Sequence, residues 1–231
     1  MWSGEPDEPV VPQRAERLVE LNLHLARYAH RSWYERALLD ASIAQLMLDE
    51  RGRVHARIEP CISRWLSQEL GATDFDWDMR EPQKRVWLLD RPSLERLALE
   101  LALAMHREWV VQIIDSTRLR ALAGAVGADA LRFVIEDVPA GCFHYQSPLV
   151  SFASETTTDV AAELRGHGAR TLMALLEPAW HAVRSRAVLF FDRALVLGAD
   201  PPLEPALAHR ALDLILQRLI PRRFPKWVWC F

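Results

Sequence analysis

Residues Arg91–Asp137 read RPSLERLALELALAMHREWVVQIIDSTRLRALAGAVGADALRFVIED, and no proline or glycine interrupts Leu94 to Leu122. Leu94, Leu97, Leu101 and Met105 recur at three- and four-residue spacing, which puts them on one face of an α-helix. A second row, Leu99, Leu103, Val110 and Ile114, lies on another face. A helix that is apolar on two faces has protein on both sides, so a long buried central helix is expected over 94–122. Ser93 or Asp90 suits its cap and Pro92 its first turn. Gly124 and Gly127 suit its stop, because glycine takes up the left-handed conformation common at helix ends. Ala128 to Asp137 follows as a shorter helix with Leu131, Val134 and Ile135 inward.

Upstream, residues 1–12 hold three prolines and three acids with no apolar period, and read as a disordered lead. They have neither the basic flank nor the apolar core of a signal peptide. Helices are expected over Ala15–His30, Trp33–Glu50 and Glu59–Leu70, the last stopped by Gly71. Thr73 to Pro82 is polar and acidic, hence a loop, and Lys84 to Leu89 is a short apolar run of undecided type.

Downstream, AGCFHYQSPLVSFASE (140–155) is the least helical stretch, and its aromatic and β-branched residues fit a minor β element near 142–153 or a packed loop. Thr157 or Thr158 caps the next helix, which Gly166 and Gly168 weaken by about 1 kcal/mol each relative to alanine. Pro178 kinks or restarts it, and Trp180–Leu195 continues. Gly198 to Pro202 is a turn. Leu203–Ile220 is the last helix, ended by Pro221. These elements make a mainly α fold: a single irregular multi-helix domain over 13–220 and a basic aromatic tail over 221–231.

Composition narrows the function. A chain of 231 residues that is 50% hydrophobic buries enough surface to need no disulfide or metal. A net charge of −3 gives no general attraction for nucleic acid. No apolar run approaches the ~20 residues of a membrane span. Cys61, Cys142 and Cys230 are isolated and odd in number, as in a reducing cytoplasm. Nine tryptophans serve as core fillers or as interface anchors.

Chemical motifs are sparse. The eight histidines form no His-Glu-x-x-His pattern and no cysteine pair has zinc spacing, so no metal and no cofactor is expected. There is no Gly-x-Ser-x-Gly elbow. Cys142, His144 and Tyr145 share the irregular segment and define an alternative: a helical enzyme or small-ligand binder with its pocket there. Gly124-x-x-Gly127 and Gly166-His-Gly168 lack the strand and lysine of a phosphate loop, and read as a helix cap and a close-packing site.

The C-terminal fourteen residues, RLIPRRFPKWVWCF, hold four cations and four aromatics. That mixture suits an acidic protein partner, base stacking or anionic headgroups. It equally suits aromatics folded back on the core with the cations left as solubilisers. Arg222, Arg223, Lys226 and Trp227, together with Asp74, Asp76 and Asp78 of the acidic loop, are the expected protein contacts.

LALELALAMHREWVVQIIDSTRLRALAGAVGADALRFVIED resembles the central segment of the SctK family, an adaptor subunit of the bacterial type III secretion sorting platform. LMALLEPAWHAVRSR and LILQRLIPRRFPKW agree with it in order and spacing, so the similarity covers about residues 85–231. The aromatic end after Pro221 departs from the family pattern. The resemblance implies a non-enzymatic helical adaptor on the cytoplasmic face of the injectisome. It implies a bridge between the cytoplasmic domain of the inner-membrane ring protein (SctD) and the pod protein (SctQ), and through the pod to the stator (SctL) and the ATPase.

Overall fold

The structure is a computed structural model that describes residues 10–37, 47–48, 54–113, 115–143, 157–177, 179–196 and 203–231. The described residues are mainly helical and contain no strand; an isolated antiparallel bridge joins Leu48 and Val54. They cluster into two compact units, each discontinuous in sequence. The first is Met1–Leu94, Leu176–Gly198 and Phe224–Phe231; the second is Glu95–Leu175 and Ala199–Arg223.

In the first unit the opening helix runs Val10–Leu23, so it starts inside the stretch read as a disordered lead. Pro12 lies in its first turn, where the missing N–H has no intrahelical partner to lose. The expected Ala15–His30 helix is two pieces, because the backbone turns at His24 (φ −116°, ψ 51°) and resumes as Leu25–Tyr28. The Glu59–Glu69 helix packs on that second piece and holds the turn. Ser63 Oγ accepts the Ala26 N–H at 3.0 Å and donates to Glu59 Oε1 at 2.7 Å. Buried Glu59 in turn meets His24 Nδ1 at 3.1 Å and Arg27 Nε at 3.7 Å. Ser32–Ala37 is helical as expected; most of the Trp33–Glu50 expectation lies outside the described residues.

The undecided run resolves as a helical turn, Pro82–Arg85, and a 3-10 turn, Val86–Leu88, that bury Trp87, Leu88 and Leu89. Tyr28 stacks on Phe190 with centroids 4.4 Å apart, and Trp33 Nε1 donates to the Phe191 carbonyl at 3.0 Å. The Trp180–Leu195 helix appears as His181–Ala187, a 3-10 turn Val188–Phe190, and Arg193–Val196. Pro178 and the Gly198–Pro202 turn lie outside the described residues.

The buried helix runs Arg91–Met105, and the unit boundary falls within it, after Leu94. Leu94, Leu97, Leu101 and Met105 of the first row, and Leu99, Leu103 and Val110 of the second, are all buried; Ile114 lies outside the described residues. Its expected continuation to Leu122 is corrected. The path bends at His106 (φ −98°, ψ 18°), continues as Arg107–Val111, and restarts as Ser116–Val126. The β-branched run Val110, Val111, Ile113 lowers helix propensity, and Asp115 supplies a new cap, accepting the Thr117 N–H at 2.7 Å.

The rest of the second unit packs around these segments. Gly127 (φ 94°) joins Ser116–Val126 to Ala128–Glu136. Thr157–Ala174 is one helix, and Gly168 sits so close to Ala98 that a Cβ would fall 1.8 Å from the Ala98 carbonyl oxygen. The last helix does not end at Pro221. Pro205–Leu214 widens into a π turn, Ile215–Leu219, and then continues as Ile220–Arg223. A proline ring collides with the carbonyl four residues back in a regular α-helix; the looser π turn just upstream removes that conflict.

Candidate docking surfaces

The basic aromatic tail is folded, and its named residues divide by what they touch. In the first unit, Pro225–Cys230 forms a 3-10 turn. Trp227 is buried, and its Nε1–H donates to Ser93 Oγ at 3.0 Å. The Arg17 guanidinium lies 5.6 Å from its ring centroid. Lys226 reaches Asp90 Oδ2 at 3.2 Å and keeps its side chain 66% exposed. Burial would raise the Asp90 carboxyl, but hydrogen bonds from Ser93 and the Lys226 ammonium outweigh it and hold it low. Arg14 donates to the Trp229 and Cys230 carbonyls at 3.0 and 3.2 Å, and Arg85 to the Phe231 carbonyl at 3.1 Å. Burial pushes the Cys230 thiol up to about 12.

In the second unit, Arg223 is tied to the core. Its Nη2 and Nε meet the Glu100 carboxylate at 3.0 and 3.1 Å, and its guanidinium lies over Phe133 at 5.6 Å. Glu100 is buried and also accepts from Arg96 at 2.8 Å. Arg222 is half exposed and pairs with Asp137, whose carbonyl takes a 2.7 Å hydrogen bond from Arg218. The outward-facing cations among the four expected tail contacts are therefore Arg222 and Lys226.

The acidic loop divides in the same way. Asp76 is held from three directions: by Lys84 at 2.9 Å, and by Asn22, which donates to its carbonyl at 2.9 Å and accepts its N–H at 3.2 Å. Asp78 pairs with Arg80 at 2.6 Å, and that hydrogen bond keeps its carboxyl well below the ordinary carboxylate range. Asp74 is exposed. Between these acids, Phe75 and Trp77 are 52% and 50% exposed, with ring centroids 6.1 Å apart. Sequence reasoning singled out the acids and passed over these rings. The signal was present: the strict alternation Asp-Phe-Asp-Trp-Asp over 74–78 leaves both aromatics off any helical stripe.

For the alternative pocket, Cys142 is half-buried, and burial raises its thiol despite the lowering influence of Arg210 and Arg218. That favours the neutral thiol over the nucleophilic thiolate. His144 and Tyr145, and the β element near 142–153 from position 144 on, lie outside the described residues. An open cavity of about 390 Å³ in the first unit is lined by Trp33, Leu70, His181, Arg184 and Arg193 among others, away from Cys142 in the sequence and in the other unit. Among the described residues no three His, Cys, Asp or Glu side chains converge as metal ligands. Two buried histidines do meet: His106 Nε2 lies 3.1 Å from His167 Nδ1. Burial, and secondarily His167, lowers His106 to about 3. No described helix is long and apolar enough to cross a membrane.

A family model described as YOP proteins translocation protein K (YscK) matches residues 19–210. That range begins within the opening helix and stops before the aromatic tail. No curated protein and no solved structure matches the chain.

Proposed function

The chain belongs to the YscK family of type III secretion proteins, the family whose other name is SctK, and from that premise we propose that it is a non-enzymatic adaptor of the sorting platform. In this reading it links the cytoplasmic domain of the inner-membrane ring protein to the pod protein, and through the pod to the stator and ATPase. It works at the cytoplasmic face of the apparatus. The match over 19–210 is the observation that carries the reading. Its surface chemistry supports two partners. Arg222 and Lys226 keep exposed side chains beside their partners Asp137 and Asp90 in one stretch of sequence, and Asp74 is an exposed acid in another. Complementary fields of opposite sign select different partners more than they add affinity.

Co-purification tests this. The full chain, mixed with the ring protein's cytoplasmic domain and with the pod protein, should form a complex with each and a ternary complex with both. Absence of any complex at micromolar concentrations refutes the adaptor role.

A further inference from the structure

We infer that the open cavity of the first unit, walled by Arg184, Arg193 and Trp33, receives an acidic side chain and an apolar neighbour from a segment of a protein partner.

The first ground is unmatched charge. Arg184 and Arg193 both line the cavity, the first exposed and the second half-buried. Among the described residues neither has a carboxylate within ion-pair distance. Arg222 and Arg223, by contrast, are matched by Asp137 and Glu100. Arg184 places one donor on the Leu176 carbonyl at 3.3 Å, and the Arg193 guanidinium meets no acceptor among the described residues. The acids nearby leave this unchanged. Glu69 lines the cavity but forms no ion pair with either arginine. Asp192, beside Arg193 in sequence, is engaged by His30 at 3.9 Å and by the Ala194 N–H at 2.9 Å. Two guanidinium groups against one carboxylate make the lining net positive. The planar guanidinium fork matches a carboxylate with two parallel hydrogen bonds.

The second ground is order and shape. His181, Arg184, Ser185 and Val188 fall on one helical stripe and make one wall. Trp33 faces them from another element, buried and fixed by its bond to the Phe191 carbonyl. The Arg193 guanidinium lies 5.3 Å from the Trp33 ring centroid, so its face is covered while its N–H edge stays available. The backbone behind both arginines is held: the Arg193 N–H bonds Ser32 Oγ at 2.9 Å, and the Arg184 N–H bonds the Trp180 carbonyl at 2.8 Å. A wall set in advance loses little freedom when something enters. The space, about 390 Å³, is at the small end of ligand pockets and suits one or two side chains. Trp33, Leu70 and Val188 offer apolar surface to the neighbour of the acid. A lipid surface is flat and a nucleic-acid backbone is bulky and repelled by Glu69, whereas an acidic protein segment carries a single charge on a slender arm.

The inference rests on the adaptor reading for its biological setting and on the cavity alone for its chemistry, and the test separates them. The probe is a fluorescein-labelled peptide of alternating glutamate and leucine with an amidated end, titrated with the full chain and read by anisotropy. The control replaces glutamate with lysine. The acidic peptide should bind saturably. Arg184→Gln and Arg193→Gln should each weaken it by roughly tenfold, and Arg193→Lys by a smaller factor, about threefold, because the charge stays and the fork goes. Glu69→Gln should tighten binding by about twofold. Ser185→Trp keeps every charge, fills the cavity and should abolish binding. Circular dichroism should be unchanged in all five, since these side chains lie at the surface. Absence of binding at millimolar peptide, equal binding of the lysine peptide, or binding indifferent to Ser185→Trp overturns the inference. Displacement of the peptide by an equal concentration of inorganic phosphate also overturns it, by showing a general anion site. Self-association that Ser185→Trp abolishes overturns it by identifying a second copy as occupant. Loss of co-purification with the ring and pod proteins, with peptide binding intact, removes the adaptor reading alone.

Discussion

Gly168 lies directly against the main chain of Ala98, and the gap between the two helices exists because position 168 has no side chain. A Cβ there would sit 1.8 Å from the Ala98 oxygen and 2.4 Å from its carbonyl carbon. Both contacts are backbone, so neither yields by a rotamer change. Gly168→Ala should therefore cost about 3 kcal/mol or more, at the upper end for an overpacked core. Gly124, helical and with open space where its Cβ would be, is the internal control. Gly124→Ala should stabilise by about 0.5–1 kcal/mol. Urea unfolding of both variants reads the difference in sign.

Glu100 is a buried carboxylate between two guanidinium groups. Arg223→Met leaves it with Arg96, whose side chain is 47% exposed. The loss should be about 2–3 kcal/mol, short of the full cost of orphaning a buried charge because one partner remains. Adding Glu100→Leu should recover most of it, since an apolar pair replaces an ionic one. A double-mutant cycle by chemical denaturation checks both steps; if the double variant is as unstable as the single one, the carboxylate is not the cause.

His106 has a folded pKa near 3, below the ordinary value of 6.5. The unfolded chain therefore binds the proton more readily. Stability from this group is complete above about pH 6.5 and falls as pH drops toward 3. At about pH 5 the deficit should be near 2 kcal/mol. His106→Gln should remove that part of the acid sensitivity; parallel denaturation at neutral and mildly acid pH would show the two slopes converge or refute the assignment.

Trp227 is buried and hydrogen-bonded to Ser93. Trp227→Ala should cost about 3–4 kcal/mol. Ser93→Ala, which removes only the hydroxyl, should cost about 1 kcal/mol. Thermal melts of the two variants distinguish a packed anchor from a solvent-facing contact, for which both values would lie near zero.

These residues also show how far the sequence could be read. The two apolar rows of the buried helix were legible because burial on two faces leaves a periodic mark. The bend at His106 was not, because no proline or glycine marks it and the buried contact of His106 is with His167, sixty-one positions away. The restart at Asp115 was legible in hindsight: Asp-Ser-Thr after a β-branched run is a capping signature outweighed by the absence of proline and glycine. The tail's alternatives stayed open because arginine and tryptophan serve equally well inside and outside. What decides between them is the location of Glu100, Asp90 and Ser93, and no local pattern holds that information. In the acidic loop the three acids looked alike in the sequence, and what separates Asp76 from Asp74 is Asn22 and Lys84, which hold it from distant positions.

The π turn over Ile215–Leu219 has a genetic corollary. It behaves as one surplus residue absorbed inside a continuous helix. Deleting a single position there would restore regular winding and leave the helix on either side facing as before, so Arg222 and Arg223 would keep Asp137 and Glu100 within reach, while Pro221 would meet the carbonyl four residues back. Deleting a position from the regular Pro205–Leu214 stretch would instead rotate everything beyond it by about 100° about the axis and carry both arginines away together. A one-codon deletion within 205–214 should therefore be more damaging than one within 215–219.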